Sequence, residues 1–471
     1  METICAIATP SGGALGIIRV SGPEAIHITS KIFKPKGVKS LTEKANSTLT
    51  FGNIIDTDTE EIIDEVLVSL FRAPHSYTGE NACEISCHGS DYILHRIMQL
   101  LLKHGCRLAR PGEYTERAFL NGKMDLSQAE AVADLIASTT EANHRMAMHQ
   151  MRGGFSKELR QLRDQLLHIT SLLELELDFS DHEELEFASR PELLDLAQKI
   201  HNHIQSLCHS FRLGNALKRG IPVAIVGETN AGKSTLLNAL VGEERALVSN
   251  IHGTTRDTIE ETVNINGTLV RFIDTAGIRE TTDTVERMGI DRTYSKITEA
   301  DIVLWLIDLT AYKAQYAELS DKIFSNTYDK HLVILLNKQD LVDCTTLQQA
   351  QQFITEQACN THSTTPLLLT LCAQSSQGLG QLRTLLTSSL SDLQTSNYGT
   401  STIVSNLRHY EALTAALSAI DRVIEGLHND LSGDFISQDL RECIHHLSDI
   451  VGEVTTDDVL GNIFKHFCVG K

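Results

Sequence analysis

The spacing of apolar positions divides the chain into four stretches. In residues 1–120 the apolar runs are short and bounded by turns. Ile4-Cys5-Ala6-Ile7-Ala8, Gly16-Ile17-Ile18-Arg19-Val20, Glu65-Val66-Leu67-Val68-Ser69-Leu70 and Cys83-Glu84-Ile85-Ser86-Cys87 read as strands. Tyr92 to Lys103 sets Ile93, Ile97, Leu100 and Leu101 on one helical face, and Arg110-Pro111-Gly112-Glu113 is a turn. The stretch predicts a mixed α/β domain. From 121 to 217 the period becomes helical, with Leu159, Leu162, Leu166, Ile169 and Leu173, then Leu193, Leu196, Ile200, Ile204, Leu207 and Phe211. The acidic break around Asp178-Phe179-Ser180-Asp181 reads as an exposed inter-helix loop in preference to a pair of catalytic carboxylates. After a polar spacer, residues 389–471 resume the helical period with Leu407, Tyr410, Leu413, Leu417, Ile420 and Ile424, then Leu440, Ile444, Leu447 and Ile450. Helices on both sides of residues 218–388 suggest one all-α bundle into which that stretch is inserted; two independent bundles fit the same periodicity.

The inserted stretch has a different pattern: continuous apolar runs suited to strands buried on both faces. Pro222-Val223-Ala224-Ile225-Val226 leads into Gly227-Glu228-Thr229-Asn230-Ala231-Gly232-Lys233-Ser234, and Thr235-Leu236-Leu237 opens a helix. This is a phosphate loop in its strand-to-helix setting. Backbone N–H groups from Asn230 to Thr235 turn toward phosphate, Lys233 reaches the β- and γ-phosphates, and Ser234 ligates Mg²⁺. Val270-Arg271-Phe272-Ile273 delivers Asp274-Thr275-Ala276-Gly277, where Asp274 serves the Mg²⁺ shell and the Gly277 N–H faces the γ-phosphate. Between them lies Gly253-Thr254-Thr255-Arg256-Asp257, whose Thr255 completes that shell while the γ-phosphate is present. Leu332-Val333-Ile334-Leu335-Leu336 ends in Asn337-Lys338-Gln339-Asp340, with Asp340 placed to accept from guanine N1 and N2. Pro366 to Leu371 leads into Cys372-Ala373-Gln374, where GTPases commonly carry Ser-Ala-Lys. The Ala373 N–H is expected to face guanine O6, and the Cys372 substitution to alter base packing modestly. The four motifs in this order predict a doubly wound α/β GTPase domain, Ras-like in plan, with GTP at the carboxyl ends of its strands.

Ras-like GTPases orient the attacking water with a glutamine after Asp-x-x-Gly; here that position is Ile278. Two other groups present themselves. Glu280 is either a solvated loop carboxylate or the water-orienting group. Asn230 offers an amide oxygen to a monovalent cation that neutralises transition-state charge, with carbonyls of Ser249-Asn250-Ile251-His252-Gly253-Thr254 facing the same ion.

Charge changes the picture for partners. With 41 Lys and Arg against 61 Asp and Glu, the net charge is −20, which excludes a nucleic-acid complex driven by overall charge. Lys103, Arg107, Arg110, Arg117 and Lys123 form a locally basic stretch, the best candidate for RNA contact. Ten scattered cysteines and no recognisable signal peptide predict reduced thiols in the cytoplasm. Cys83, Cys87 and His88 lack a second ligand pair with zinc spacing. No apolar run reaches the ~18 residues of a membrane span. Arg19, Glu84 and Lys123 are charged where strand or loop chemistry does not require it, as solvated surface or as one shared site.

The phosphate loop with Asn230, Gly253 to Asp257, Asp274-Thr275-Ala276-Gly277-Ile278-Arg279-Glu280 and the terminal Cys468-Val469-Gly470-Lys471 resemble the MnmE/TrmE family of tRNA-modification GTPases. Arg110 to Lys123 is similar to that family's N-terminal signature. The resemblance spans the chain. It implies a folate-binding, dimerising α/β domain over 1–120, a helical domain over 121–217 and 389–471, and an inserted GTPase domain over 218–388. It implies a homodimer whose nucleotide domains meet in a potassium-dependent way, and a heterotetramer with a FAD-dependent partner of the MnmG/GidA family. Together these modify C5 of the wobble uridine of certain tRNAs, with 5,10-methylenetetrahydrofolate or 5-formyltetrahydrofolate as one-carbon source. By the same resemblance Arg19, Glu84, Lys123 and Lys471 contact folate; Asn230, Ser249, Ile251 and Thr254 hold potassium; Ser234 and Thr255 hold magnesium; and Glu280 orients water. Cys468, with His466 nearby, is either a reactive tail thiol or a packed one. The alternative function is a GTPase switch in ribosome assembly without group-transfer chemistry.

Overall fold

The computed structural model describes residues 2–37, 39–178, 189–228, 230–242, 261–273, 297–328, 330–361, 366–395, 402–453, 457–465, 467 and 470. They fall into two compact units, one of residues 1–137, 147–201 and 415–471, the other of residues 138–146 and 202–414.

The first unit holds a seven-stranded sheet of β1 (Ile4–Ile7), β2 (Leu15–Ser21), β3 (Phe33–Pro35), β4 (Thr48–Ile55), β5 (Ile62–Phe71), β6 (Ala82–His88) and β7 (Arg107–Leu108), in the order β3-β4-β5-β6-β2-β1-β7. Neighbours are antiparallel except β1 and β7. Helices Ala25–Ile32 and Asp91–Lys103 pack on one face, where Ile28, Ile32, Leu94, Ile97 and Leu101 join Ile18, Val20, Val68 and Ile85 in one core. Side chains alternate along a strand, so the burial of Ile18, Val20, Cys83 and Ile85 turns Arg19 and Glu84 to the other face. There the two sit directly opposite each other across β2 and β6.

Helices Leu126–Ala137, Gly154–Asp178 and Gly433–Val451 pack on one another, so helices from both ends of the sequence share a bundle. Leu159, Leu162, Leu166 and Ile169 on one, and Leu440, Leu447 and Ile450 on another, are buried at the predicted spacing. Strand β4 has no counterpart among the sequence-predicted elements, because its outward positions carry Leu49 and Phe51, 61% and 45% exposed, and the apolar-polar alternation is lost. β7 is only two residues long, too short for a periodic signal.

The second unit holds a six-stranded sheet among the described residues: β8 (Ile221–Val226), β9 (Glu261–Ile265), β10 (Thr268–Ile273), β11 (Ile302–Asp308), β12 (His331–Asn337) and β13 (Leu367–Thr370), ordered β13-β12-β11-β8-β10-β9. All pairs are parallel except the β9–β10 hairpin. β8 and β11 are buried along their whole length. Leu236 and Leu240 of helix Lys233–Gly242 and Leu382 and Leu386 of helix Leu379–Thr395 pack on one face with Val223, Ile225 and Leu304. On the other face, Tyr316 and Phe324 of helix Tyr312–Asn326 and Ile354 of helix Cys344–Thr361 pack with Ala224, Trp305 and Ile307. Helices on both faces of a parallel sheet make the doubly wound arrangement, whose ligand crevice lies beyond the carboxyl ends of the strands.

Candidate functional site

The phosphate loop leaves β8 at Val226 and enters its helix at Lys233. Its outer glycines are dictated by close approach. Gly227 has φ +150°, and a Cβ there would lie 2.4 Å from the Leu306 carbonyl oxygen of β11. Gly232 has φ +101°, and a Cβ there would lie 2.3 Å from Asn337 Nδ2. Asn230, exposed, takes the left-handed conformation at φ +67°. Lys233 Nζ donates to the carbonyls of Gly227 at 2.7 Å and Glu228 at 2.8 Å, which engages two of its three N–H bonds over the loop. Burial lowers the pKa of Lys233, with the Glu228 charge opposing that shift.

Asn337, buried at the end of β12, joins the phosphate loop to the base loop. Its Nδ2 donates to the Ala231 carbonyl at 2.8 Å and its Oδ1 accepts the Ala373 N–H at 3.0 Å. The Ala373 N–H expected to face guanine O6 therefore serves this clamp, because a buried N–H takes the acceptor beside it. Lys338 stands at φ +62° and its Nζ donates to Asp308 Oδ2 at 2.6 Å. Asp340 is exposed, and its Oδ1 accepts the Cys372 thiol at 3.0 Å. Cys372 thus contacts the carboxylate expected to read guanine.

The first unit carries a cavity of ≈ 340 Å³ between β2, β6 and the segment from Phe71 to Thr78, with Tyr114 at its side. Arg19 Nε donates to Glu84 Oε1 at 2.8 Å on its wall, and the guanidinium lies 5.9 Å from the Tyr77 ring centroid. Tyr77 Oη shares a hydrogen bond with Thr115 Oγ1 at 2.9 Å, and Tyr114 Oη donates to the Arg19 carbonyl at 2.9 Å. Burial raises the pKa of both phenols, so they stay protonated. The tail reaches this wall: Arg19 Nη1 donates to the Gly470 carbonyl at 3.3 Å, and a Cβ on Gly470 would meet the Ile7 carbonyl oxygen at 2.8 Å.

Residues 3–123 match the family model described as the GTP-binding protein TrmE N-terminus, and residues 126–468 match the MnmE helical domain. A Bacteroides thetaiotaomicron protein named tRNA modification GTPase MnmE is 57% identical over 471 residues, covering 100% of this chain and 99% of its own. A Bacteroides fragilis protein of the same name is 58% identical over 472 residues with the same shares. The chain belongs to the MnmE family of tRNA modification GTPases. Among solved structures, an Aquifex aeolicus Era variant bound to GDP and AlF4⁻ is 24% identical, with a TM-score of 0.28 over 42% of this chain and 66% of its own.

Of the residues expected to act in an MnmE protein, the structure brings together Asn230 to Thr235 with Asn337, Lys338, Asp340, Cys372 and Ala373 in one unit, and Arg19 with Glu84 in the other. Ser249 to Thr255, Asp274 to Gly277, Glu280, Cys468 and Lys471 lie outside the described residues. Lys123 does not line the cavity. Its Nζ donates to the Pro74 carbonyl at 3.0 Å, bracing the segment that forms the cavity wall. The basic stretch is not an open cationic face. Lys103 pairs with Asp58, Arg107 with Glu2 and Glu113, Arg110 with Glu116, and Arg117 with Glu80 and Glu113. Each of these charges is matched by a carboxylate, and Asp58, Glu2 and Glu80 reach Lys103, Arg107 and Arg117 from distant parts of the sequence. Cys83 and Cys87 point into the core, their thiols pushed up to about 12 and about 11 by burial, and no metal-binding cluster is present among the described residues.

Sequence reasoning missed Asp308 and Glu80. Asp308 ends a strand that carries no nucleotide motif, and Glu80 lies in a turn. The only signal for Asp308 was its place at the carboxyl end of a buried apolar run.

Proposed function

We propose that this chain is a potassium-dependent GTP hydrolase that drives modification of C5 of the wobble uridine in certain tRNAs. It acts in the cytoplasm as a homodimer, together with a FAD-dependent partner of the MnmG/GidA family, and with a tetrahydrofolate as one-carbon donor. The observation that carries the reading is Asn337, which ties the phosphate loop to the loop presenting Asp340, so that triphosphate and base are recognised by one connected frame. The proposed division is a folate domain over 1–120, a helical domain over 121–217 and 389–471, and an inserted GTPase domain over 218–388.

In the nucleotide site, Lys233 takes charge from the phosphate oxygens, and Ser234 at the head of its helix would hold Mg²⁺ with Thr255, supported by Asp274. Asn230, with Ser249, Ile251 and Thr254, would hold potassium where an arginine finger acts in other GTPases, and Glu280 would orient the attacking water. Turnover is therefore expected to be at least tenfold faster in potassium than in sodium, with the difference abolished in Asn230→Ala and the maximal rate cut in Glu280→Ala while nucleotide affinity stays. Equal wild-type rates in the two salts would remove the cation from the mechanism.

The cavity fits a planar ring bearing adjacent N–H donors. Glu84 supplies a half-buried carboxylate acceptor, Tyr77 an aromatic face and Arg19 a cation, and the space is within the lower range of small-molecule pockets. A tetrahydrofolate held there would supply the one-carbon unit, and Lys123 and Lys471 would contribute from its rim and the tail. The full chain is expected to bind 5-formyltetrahydrofolate, with affinity falling about tenfold or more in Glu84→Ala, the loss of one charged hydrogen-bond acceptor. Absence of binding by the wild type would favour a GTPase switch in ribosome assembly, which has no use for a folate site.

A further inference from the structure

We propose that Asp308 is a positioning residue for guanine recognition: from the neighbouring strand it fixes Lys338, and through it the turn that presents Asp340. The proposal rests on the GTP reading of this site. β11 and β12 run parallel with Asp308 opposite Asn337, which sets the last residue of one strand beside the first residue of the Asn-Lys-x-Asp turn. The Leu309 N–H donates to the Asn337 carbonyl at 3.1 Å and closes the backbones together.

The Asp308 carboxylate is fixed at both oxygens. Oδ2 accepts Lys338 Nζ at 2.6 Å, while Oδ1 accepts the Thr310 N–H at 2.9 Å and its hydroxyl at 2.8 Å. The Asp308 N–H donates in turn to Gln315 Oε1 at 2.8 Å, which anchors the strand end to helix Tyr312–Asn326. Asp308 is only 7% exposed. Burial pushes its pKa up, but the bonds from Lys338 and Thr310 outweigh burial and hold the carboxyl below its usual range, so it is anionic at neutral pH.

The consequence is pre-organisation. Lys338 already departs from ordinary backbone geometry, with φ +62°, and its stem carries rotatable bonds that must be frozen before the turn offers a defined surface to a base. An anchored ammonium removes that ordering cost from the binding step, and binding affinity gains what ordering no longer consumes. Catalytic charge stabilisation at the phosphates lies elsewhere, on Lys233, and is untouched by this pair.

Asp308→Asn keeps an acceptor for Thr310 and sets an amide N–H toward the lysine. In this variant the Kd for N-methylanthraniloyl-GDP and the KM for GTP are both expected to rise about tenfold, the scale of one hydrogen bond to a charged group, with kcat at saturating GTP within about twofold of wild type. Asp308→Glu is expected to recover part of the affinity. In a Lys338→Met background, Asp308→Asn is expected to add no further loss, since the group it positions is gone. Wild-type affinity in Asp308→Asn, additive losses in the double variant, or a fall in kcat at unchanged KM would each overturn the positioning role. A wild-type chain that shows no preference for guanine over adenine nucleotides overturns the GTP reading as well.

Discussion

Lys233→Ala is expected to lower the kcat for GTP by about a hundredfold to a thousandfold, the range found when one preorganised donor to developing negative charge is removed. The structure explains why no other group would substitute. Nζ is held over the loop by the Gly227 and Glu228 carbonyls, so its position is set before phosphate arrives. Half-burial makes the ammonium costly to keep in the empty loop, as its lowered pKa records, and anionic phosphate offsets that cost. Lys233→Arg is expected to fail as well, because a planar guanidinium does not fit between two carbonyls spaced for a compact ammonium. Single-turnover hydrolysis with saturating GTP measures the effect. A rate within about threefold of wild type would show that phosphate charge is met elsewhere.

The nucleotide site was legible because its residues are contiguous in short motifs at the ends of buried apolar runs. Gly227 to Ser234 and Asn337 to Asp340 could be placed at the carboxyl edge of a parallel sheet from their flanks alone. What joins those motifs was not legible. The Asn337 clamp needs the register of β12 against the phosphate loop, and Asp308 reaches Lys338 only because β11 and β12 are neighbours. The cavity of the first unit shows the opposite case. Arg19 and Glu84 are separated by 65 residues and pair because the alternation of two antiparallel strands turns them to one face. Residue spacing left them open between solvated surface and one shared site, and the family resemblance favoured the shared site. The net local charge of the basic stretch is illegible for the same reason, since it depends on which carboxylates the fold brings back.

The second large effect concerns stability. Arg117→Ala is expected to destabilise the N-terminal α/β unit by about 3–5 kcal/mol, the cost of removing one partner from a buried ion pair. Arg117 and Glu113 are 4% and 2% exposed. Arg117 Nη2 donates to Glu113 Oε1 at 2.9 Å, and its Nη1 reaches Glu80 Oε2 at 3.0 Å. Glu80 Oε2 in turn accepts the Ser21 hydroxyl at 2.9 Å, so the network supports the strand and turn that frame the cavity. Without Arg117, Glu113 keeps Arg107, whereas Glu80 loses its cation. Burial pushes the Glu113 carboxyl up, but Arg107, the Arg110 N–H and Arg117 outweigh it and hold the pKa at about 2, below the ordinary 4.5. A depressed acid pKa contributes stability that is complete above the unfolded value, and it is lost as pH falls from 4.5 toward 2. The wild-type unit should therefore lose stability over that window, and Glu113→Gln should remove part of the slope while lowering stability at neutral pH. The single tryptophan, Trp305, lies in the other unit and does not report this. Amide hydrogen exchange in peptides covering β2 and β6 does, and equal protection in Arg117→Ala and wild type at neutral pH would refute the buried network as a source of stability.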